Sequence, residues 1–111
     1  MSKPRERAAA RAFAALGDET RLTVVRRLRA GRPLSATALT GGARISRQAI
    51  AKHLRVLEGA GLVTREKRGR EVLYALEAGG LDGARAFLDG ISAGWDRALE
   101  RLRHPVEEAE A

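Results

Sequence analysis

The chain has no cysteine, one methionine, two histidines, three prolines and four aromatic residues among its 111. Without thiols there is no disulfide framework, no thiol nucleophile and no thiolate metal site. No run approaches the roughly eighteen apolar residues of a membrane-spanning helix. The opening MSKPRERAAARAF has no apolar core of the kind a secretion signal carries. These absences lead us to expect a cytoplasmic protein with no membrane partner. The histidines, His53 and His104, stand in no spacing that resembles a zinc or catalytic motif. Nor is there a nucleophile–base pair, a phosphate-cradling glycine loop or a pair of carboxylates suited to a cleft. An enzyme is not expected, and no cofactor is implied.

Negative charge is the scarcer sign, with 14 Asp and Glu against 21 Lys and Arg and a net charge of +7. The surplus is localised: 17 basic residues face 7 acidic ones over residues 1–77, but 4 face 7 over residues 78–111. A basic body with an acidic end suits a polyanionic partner, most often nucleic acid. Arginine outnumbers lysine 18 to 3, which GC-rich coding would also produce, so composition favours nucleic acid only slightly. A hydrophobic content of 44% supports a folded chain, and the length fits one domain.

Periodicity divides the chain into helices and one hairpin. Ala9, Ala12, Phe13 and Leu16 form one face of a first helix over Arg5 to Leu16. Asp18 is a good N-cap for a second, in which Leu22, Val25 and Leu28 turn inward with Val24 beside them, while Arg21, Arg26, Arg27 and Arg29 lie on the remaining surface. Ser35 caps a short helix that Gly41 and Gly42 close in a tight turn. Ser46 then caps a longer helix, about Arg47 to Ala60, with Ile50, Leu54 and Leu57 inward and Gln48, Lys52 and Arg55 opposite. Past Gly61 the period becomes two. Leu62–Glu66 and Glu71–Leu76 read as strands joined by Lys67-Arg68-Gly69-Arg70, where Gly69 supplies the backbone freedom of the turn. A last helix runs from about Leu81 to Arg103 and stops before Pro105. Leu81, Leu88, Trp95 and Leu102 repeat every seven residues there, with Ala84, Ile91 and Ala98 offset by three. Residues 104–111 form a short acidic tail.

A short helix, a glycine turn and a longer capped helix make a helix-turn-helix, and the hairpin after it makes a wing. A helix fits the major groove of double-stranded DNA, and side chains near its N-terminus reach base edges. Here those are Ser46, Arg47, Gln48, Ala49 and Lys52, with Arg55 farther along as either a phosphate contact or a solvated side chain. The wing residues Lys67, Arg68 and Arg70 suit phosphates, although cations at an exposed hairpin can also serve only to block edge pairing. His53 flanks the apolar face. It suits either packing with one satisfied hydrogen bond or a place near the DNA backbone. Trp95 suits either the core under the wing or a helix–helix seam. Gly90 and Gly94 either admit another backbone or loosen the last helix.

Three stretches resemble the ArsR/SmtB-type winged helix-turn-helix transcriptional repressors. Leu16-Gly17-Asp18-Glu19-Thr20-Arg21-Leu22 is similar to that family's LGDPTRL opening, and Ile45 to Leu57 is similar to LSQSTVSRHLKVL. Ala60-Gly61-Leu62-Val63, followed by Arg68-Gly69-Arg70 and Tyr74-Ala75-Leu76, is similar to its AGLV…RGR…YL. The motifs cover about residues 13 to 77. Arg47 stands where the family commonly has Gln, and Ala51 where it commonly has Ser.

The resemblance implies a mainly α-helical fold with a small β-hairpin wing. It implies one domain over 1–103, with helix-turn-helix at 35–60, wing at 62–76 and dimerisation helix at 81–103. It implies a homodimeric repressor reading an inverted-repeat operator, with Ala9, Phe13, Leu16, Leu81, Leu88, Ile91, Trp95 and Leu102 at the dimer interface. Metal-sensing members carry a cysteine box on the short helix, where this chain has Leu34-Ser35-Ala36-Thr37-Ala38-Leu39. Others use Asp and His pairs on the last helix, which here has Asp82, Asp89 and Asp96 but no His. No metal site is expected, and the residues name no small-molecule effector. A protein-interaction module binding an acidic partner is the alternative, since winged folds serve both uses. Such a module would more often expose large apolar residues where this chain has Gln48, Lys52 and Arg55.

Overall fold

The structure, a computed structural model, describes residues 4–41 and 44–103. Gly42 of the expected turn, Pro105 and the acidic tail 104–111 lie outside the described residues. The element order is α1 (Pro4–Leu16), α2 (Glu19–Leu28), β1 (Leu34–Ser35), α3 (Ala36–Leu39), α4 (Arg47–Gly59), β2 (Val63–Arg68), β3 (Glu71–Leu76) and α5 (Asp82–Arg103). The three strands form one antiparallel sheet in the order β1-β3-β2.

Local side-chain bonds start three of the helices. Asp18, Ser35 and Ser46 stand in extended backbone just before α2, α3 and α4, and each side-chain oxygen accepts the N–H three residues on. The end of α4 is equally specific. Gly61 adopts φ +76°, its N–H bonds Glu58 O, and the Leu62 N–H reaches back to Leu57 O at 3.0 Å. This paired closure is a Schellman motif, and Leu57 and Leu62, the apolar pair that accompanies it, are both buried. The chain therefore leaves α4 at a set angle and enters the wing.

The core gathers Ala12, Ala15, Val24, Leu28, Leu39, Ile50, Leu54, Leu57, Leu62, Val63 and Ala84, with Phe13, Leu16, Val25, Leu34 and Tyr74 packed at its edge. Leu22 is not among them. Its period places it inward beside Val25, but it is 51% exposed, and Val24 takes the buried place. A ten-residue helix with both valines apolar has two candidate stripes, and packing against α1, α4 and β3 selects one.

Two further departures concern the sheet. β1 is two residues long, Leu34 and Ser35 against Tyr74 and Leu73, and the sequence pattern does not show it. β2 extends to Arg68, so the loop is only Gly69-Arg70. Gly69 has φ +62° and Arg70 does not go positive. That is the II′ arrangement, whose twist matches the flanking strands.

α5 begins at Asp82 and leaves the body after packing along α1. Ala84 is buried, and the Phe87 ring meets Phe13 at 5.9 Å, tilted by 59°. Beyond Phe87 only the start of α1 comes near, Pro4 lining an open cavity with Gly90 and Ile91. Leu88, Ile91, Trp95, Leu99 and Leu102 are all exposed, Trp95 at 66% and Leu102 at 73%. Trp95 is thus not a core residue beneath the wing. The molecule is elongated as a result, 71 × 30 × 24 Å with a radius of gyration of 19.2 Å, against about 13 Å for a compact chain of this length.

Candidate nucleic-acid interface

The face of α4 opposite its buried stripe is a row of polar side chains. Ile50, Leu54 and Leu57 are fully buried, while Arg47, Gln48, Lys52 and Arg55 are exposed and Ala49 is half-buried. Ser46 is exposed and committed as the cap, its Oγ accepting from the Ala49 N–H at 3.1 Å. This satisfies one of the free N–H groups at the helix start, and it sets Arg47 and Gln48 on the first open turn. Guanidinium and carboxamide groups there have the donor and acceptor patterns that pair with guanine and adenine edges.

The angle of the helix-turn-helix is held from α2. Arg27 donates through Nη1 to Leu39 O at 2.9 Å and through Nη2 to Ala38 O at 3.0 Å. A guanidinium at a helix C-terminus satisfies its open carbonyls and suits the helix dipole. Arg21 does the same for α1, its Nε donating to Ala15 O. The sequence pattern assigns these two arginines to the outer surface. Both belong instead to the scaffold, because helix ends brought close by packing supply acceptors that the sequence does not display.

His53 is drawn to the same junction. Its Nδ1 lies 3.1 Å from Arg21 Nη1 and 3.9 Å from Asp18 Oδ1. This contact is the hydrogen bond that its packing reading expects, and the ring remains partly exposed. The Asp18 carboxyl is held below the usual carboxylate range, chiefly by the Arg21 N–H that it accepts; partial burial opposes this, and the charges of Arg21 and His53 reinforce it.

At the wing, Lys67, Arg68 and Arg70 are all exposed. Arg68 Nη2 donates to Glu66 Oε2 at 3.4 Å, a surface pair of small worth. Nearer the body, Arg65 and Glu58 pair at 3.7 Å and link β2 to α4. Arg44, exposed two residues before the α4 cap, is a further cation on this side that the motif reading passes over. Its signal is its place beside Ser46.

Of the residues expected at a dimer interface, Leu88, Ile91, Trp95 and Leu102 are exposed on α5, and Leu81 is exposed just before it. The α1 members differ. Ala9 is 1% exposed, and Phe13 and Leu16 are half-buried against the core of their own chain. Ala9 thus has no surface to offer a partner, because α5 of the same chain packs along α1. Phe87, which meets Phe13 there, escapes the sequence reading because it lies off the heptad positions. Leu99, the remaining member of the exposed stripe, escapes it for the same reason. Among the described residues no group of three or more His, Asp or Glu could hold a metal ion, and no helix is long and apolar enough to cross a membrane.

Comparison with known proteins agrees with this architecture. A helix-turn-helix domain family model matches residues 16–66. An HTH-type transcriptional regulator of Mycobacterium tuberculosis, Rv2034, is 40% identical over 89 residues, covering 80% of this chain and 79% of that protein. The solved structure of an ArsR-like transcriptional regulator from Rhodococcus sp. RHA1 superposes with a TM-score of 0.72 at 40% identity, covering 88% of this chain and 92% of that one. A second solved ArsR family transcriptional regulator, RHA00566, gives a TM-score of 0.74 at 28% identity over 86% of this chain and 97% of that one.

Proposed function

The chain belongs to the ArsR-type helix-turn-helix transcriptional regulators, DNA-binding proteins and not enzymes, and from that premise we propose that it acts as a homodimeric repressor whose two α4 helices read an inverted-repeat operator. The observation that carries the reading head is the split of α4 into a buried apolar face and an open face bearing Arg47, Gln48 and Lys52. In this reading Arg47, Gln48 and Lys52 meet base edges, Ala49 admits close approach, and Ser46 and Arg55 lie near phosphates. Lys67, Arg68 and Arg70 hold the flanking backbone, which adds affinity with little sequence information.

The uncovered α5 stripe supports the dimer. Five large apolar side chains on one helix are poorly placed in water, and a second copy of the same stripe is a self-complementary cover. Added Cβ atoms at Gly90 would meet nothing within 4 Å, and at Gly94 only the end of Arg97 at 3.8 Å. Neither glycine is demanded by packing inside this chain, which favours their reading as places of close approach by another helix. Two linked heads then engage half-sites about one helical turn apart, roughly 34 Å.

The test is a duplex enriched from a randomised library by the purified protein. Gln48→Ala is expected to lose about 1–3 kcal/mol on that duplex and much less on scrambled DNA. Equal losses on both would remove Gln48 from base reading. Failure to enrich any duplex would favour the protein-interaction alternative.

A further inference from the structure

Past its first turns, the open face of α4 continues into a groove against α1. Gln48, Lys52, Arg55 and Gly59 follow one another at helical spacing along that face. At Arg55 the groove begins, an open concavity of about 360 Å³ lined by Arg11 and Ala14 of α1 and by Arg55, Val56, Gly59 and Ala60 at the end of α4. No acidic residue lines it. Arg11 and Arg55 are exposed, one on each wall, and among the described residues neither has a hydrogen-bond or ion-pair partner. Glu58, the one carboxylate of α4, is engaged with Arg65. Gly59 has ordinary helical backbone, and a Cβ added to it would meet nothing within 4 Å. Neither φ nor packing within this chain calls for glycine there, although glycine weakens a helix.

We propose that Arg11 and Arg55 form a two-arginine clamp on the phosphodiester backbone beside the reading helix, which makes α1 a DNA-contacting element. The inference rests on the reading of α4 as the base-contacting helix. A helix rises about 1.5 Å per residue, which sets Arg55 about 12 Å beyond Arg47, and the major groove is about 12 Å wide. With the first turn of α4 on base edges, its Arg55 end therefore reaches the phosphates that wall the groove. A guanidinium keeps its charge and pairs with phosphate oxygens through parallel N–H bonds. One from each helix grips the same strand, Ala14, Gly59 and Ala60 leave room for it, and Val56 offers an apolar face to the deoxyribose. A second copy of this chain is a poorer occupant. The groove lies on the side of α1 away from Phe13, which packs on Phe87 of α5, and a self-complementary contact there would set these cations against their own copies. Such a clamp adds affinity for any sequence and little sequence information.

The experiment measures binding of the full chain to the enriched duplex and to a scrambled one across a salt series, with urea unfolding of each variant beside it. Arg11→Gln is expected to weaken both complexes about tenfold, the scale of one hydrogen bond to a charged group, and to flatten the log–log salt slope by about 0.9. Arg26→Gln removes the same charge from an exposed arginine of α2 away from the groove. It is expected to change affinity by less than about twofold, because charges beyond a Debye length are screened. Gly59→Glu sets a carboxylate on the groove floor and is expected to reproduce the loss of Arg11→Gln without loss of stability. Uncharged methylphosphonate linkages placed singly along the enriched duplex then locate the contact. At one phosphate of each half-site the wild type is expected to lose about tenfold, and Arg11→Gln clearly less. Wild-type affinity in both Arg11→Gln and Gly59→Glu, a loss in Arg11→Gln matched by Arg26→Gln, or no phosphate whose cost depends on Arg11 overturns this inference and leaves the DNA reading intact. Failure to enrich any duplex overturns both.

Discussion

α4 and α5 carry similar apolar stripes and have opposite fates. In α4, Ile50, Leu54 and Leu57 are fully buried, closed over by α1, α2, α3 and the start of β2. In α5, Leu88, Ile91, Trp95, Leu99 and Leu102 stand exposed, although Ala84 and Phe87 pack against the same chain. Burial of an apolar side chain is worth about 1.5–3 kcal/mol, so the α4 stripe stabilises the single chain and the outer α5 stripe does not. The contrast separates a unit that closes over its own apolar stripe from an arm whose stripe stays open in this chain.

The largest expected effect attacks the first half of that contrast. Leu54→Ala leaves a cavity beneath the reading helix and is expected to cost about 2–5 kcal/mol, a large share of a small domain's stability. Urea unfolding measures it. Trp95→Ala, although it removes a larger side chain, is expected to change unfolding of the dissociated chain by no more than about 0.5 kcal/mol. A comparable loss at Trp95 in dilute protein would mean that the stripe packs within one chain.

The second prediction breaks the arm alone. Ile91→Ala with Leu102→Ala is expected to dissociate the dimer at micromolar concentration, read by sedimentation equilibrium, while the helical signal persists. Binding to a two-half-site duplex should fall by about a hundredfold or more, because linkage of the two heads is lost. A wild type that is monomeric yet fills such a duplex tightly would sink the dimer proposal.

Within the reading unit the cap residues give a smaller effect. Ser46→Ala removes the acceptor of the Ala49 N–H and is expected to cost about 1 kcal/mol of stability. Asp18 adds a pH signature. Its carboxyl is held below the ordinary range in the folded chain, so its contribution is present above the unfolded carboxylate pKa and is lost as pH falls through the lowered folded value. Acid unfolding of Asp18→Asn, which can still accept the N–H but does not titrate, should show a shallower loss over that window. An unchanged slope would mean that the cap carries no charge-dependent stability.

The smallest expected effect on stability lies at the wing. Arg68→Ala with Arg70→Ala leaves the fold unchanged, since both side chains are exposed. Affinity for all duplexes should weaken similarly, and the log–log salt slope should flatten by about 0.9 for each phosphate that the variant no longer neutralises. An unaltered slope removes the wing from the interface.

What the sequence determined by itself is the local grammar of this protein. The three caps, the end of α4 at Gly61, the turn at Gly69 and the identity of α4 as a capped amphipathic helix all rest on interactions within a few residues, and all are legible in order. The motif resemblance extends that legibility to the fold and to DNA binding. Tertiary structure alone decided which apolar face is covered and which arginines are free. Val24 is buried and Leu22 is not, because α1, α4 and β3 together close over one side of α2. Leu34 and Ser35 are a strand only because β3 lies beside them. Arg21 and Arg27 are caps for helices other than their own, and Phe87 finds Phe13 across the chain. A helical period reports that a face is apolar, and a charged residue reports that it wants a partner. Neither carries the position of the surface that answers it, because that surface arrives from residues far away in sequence.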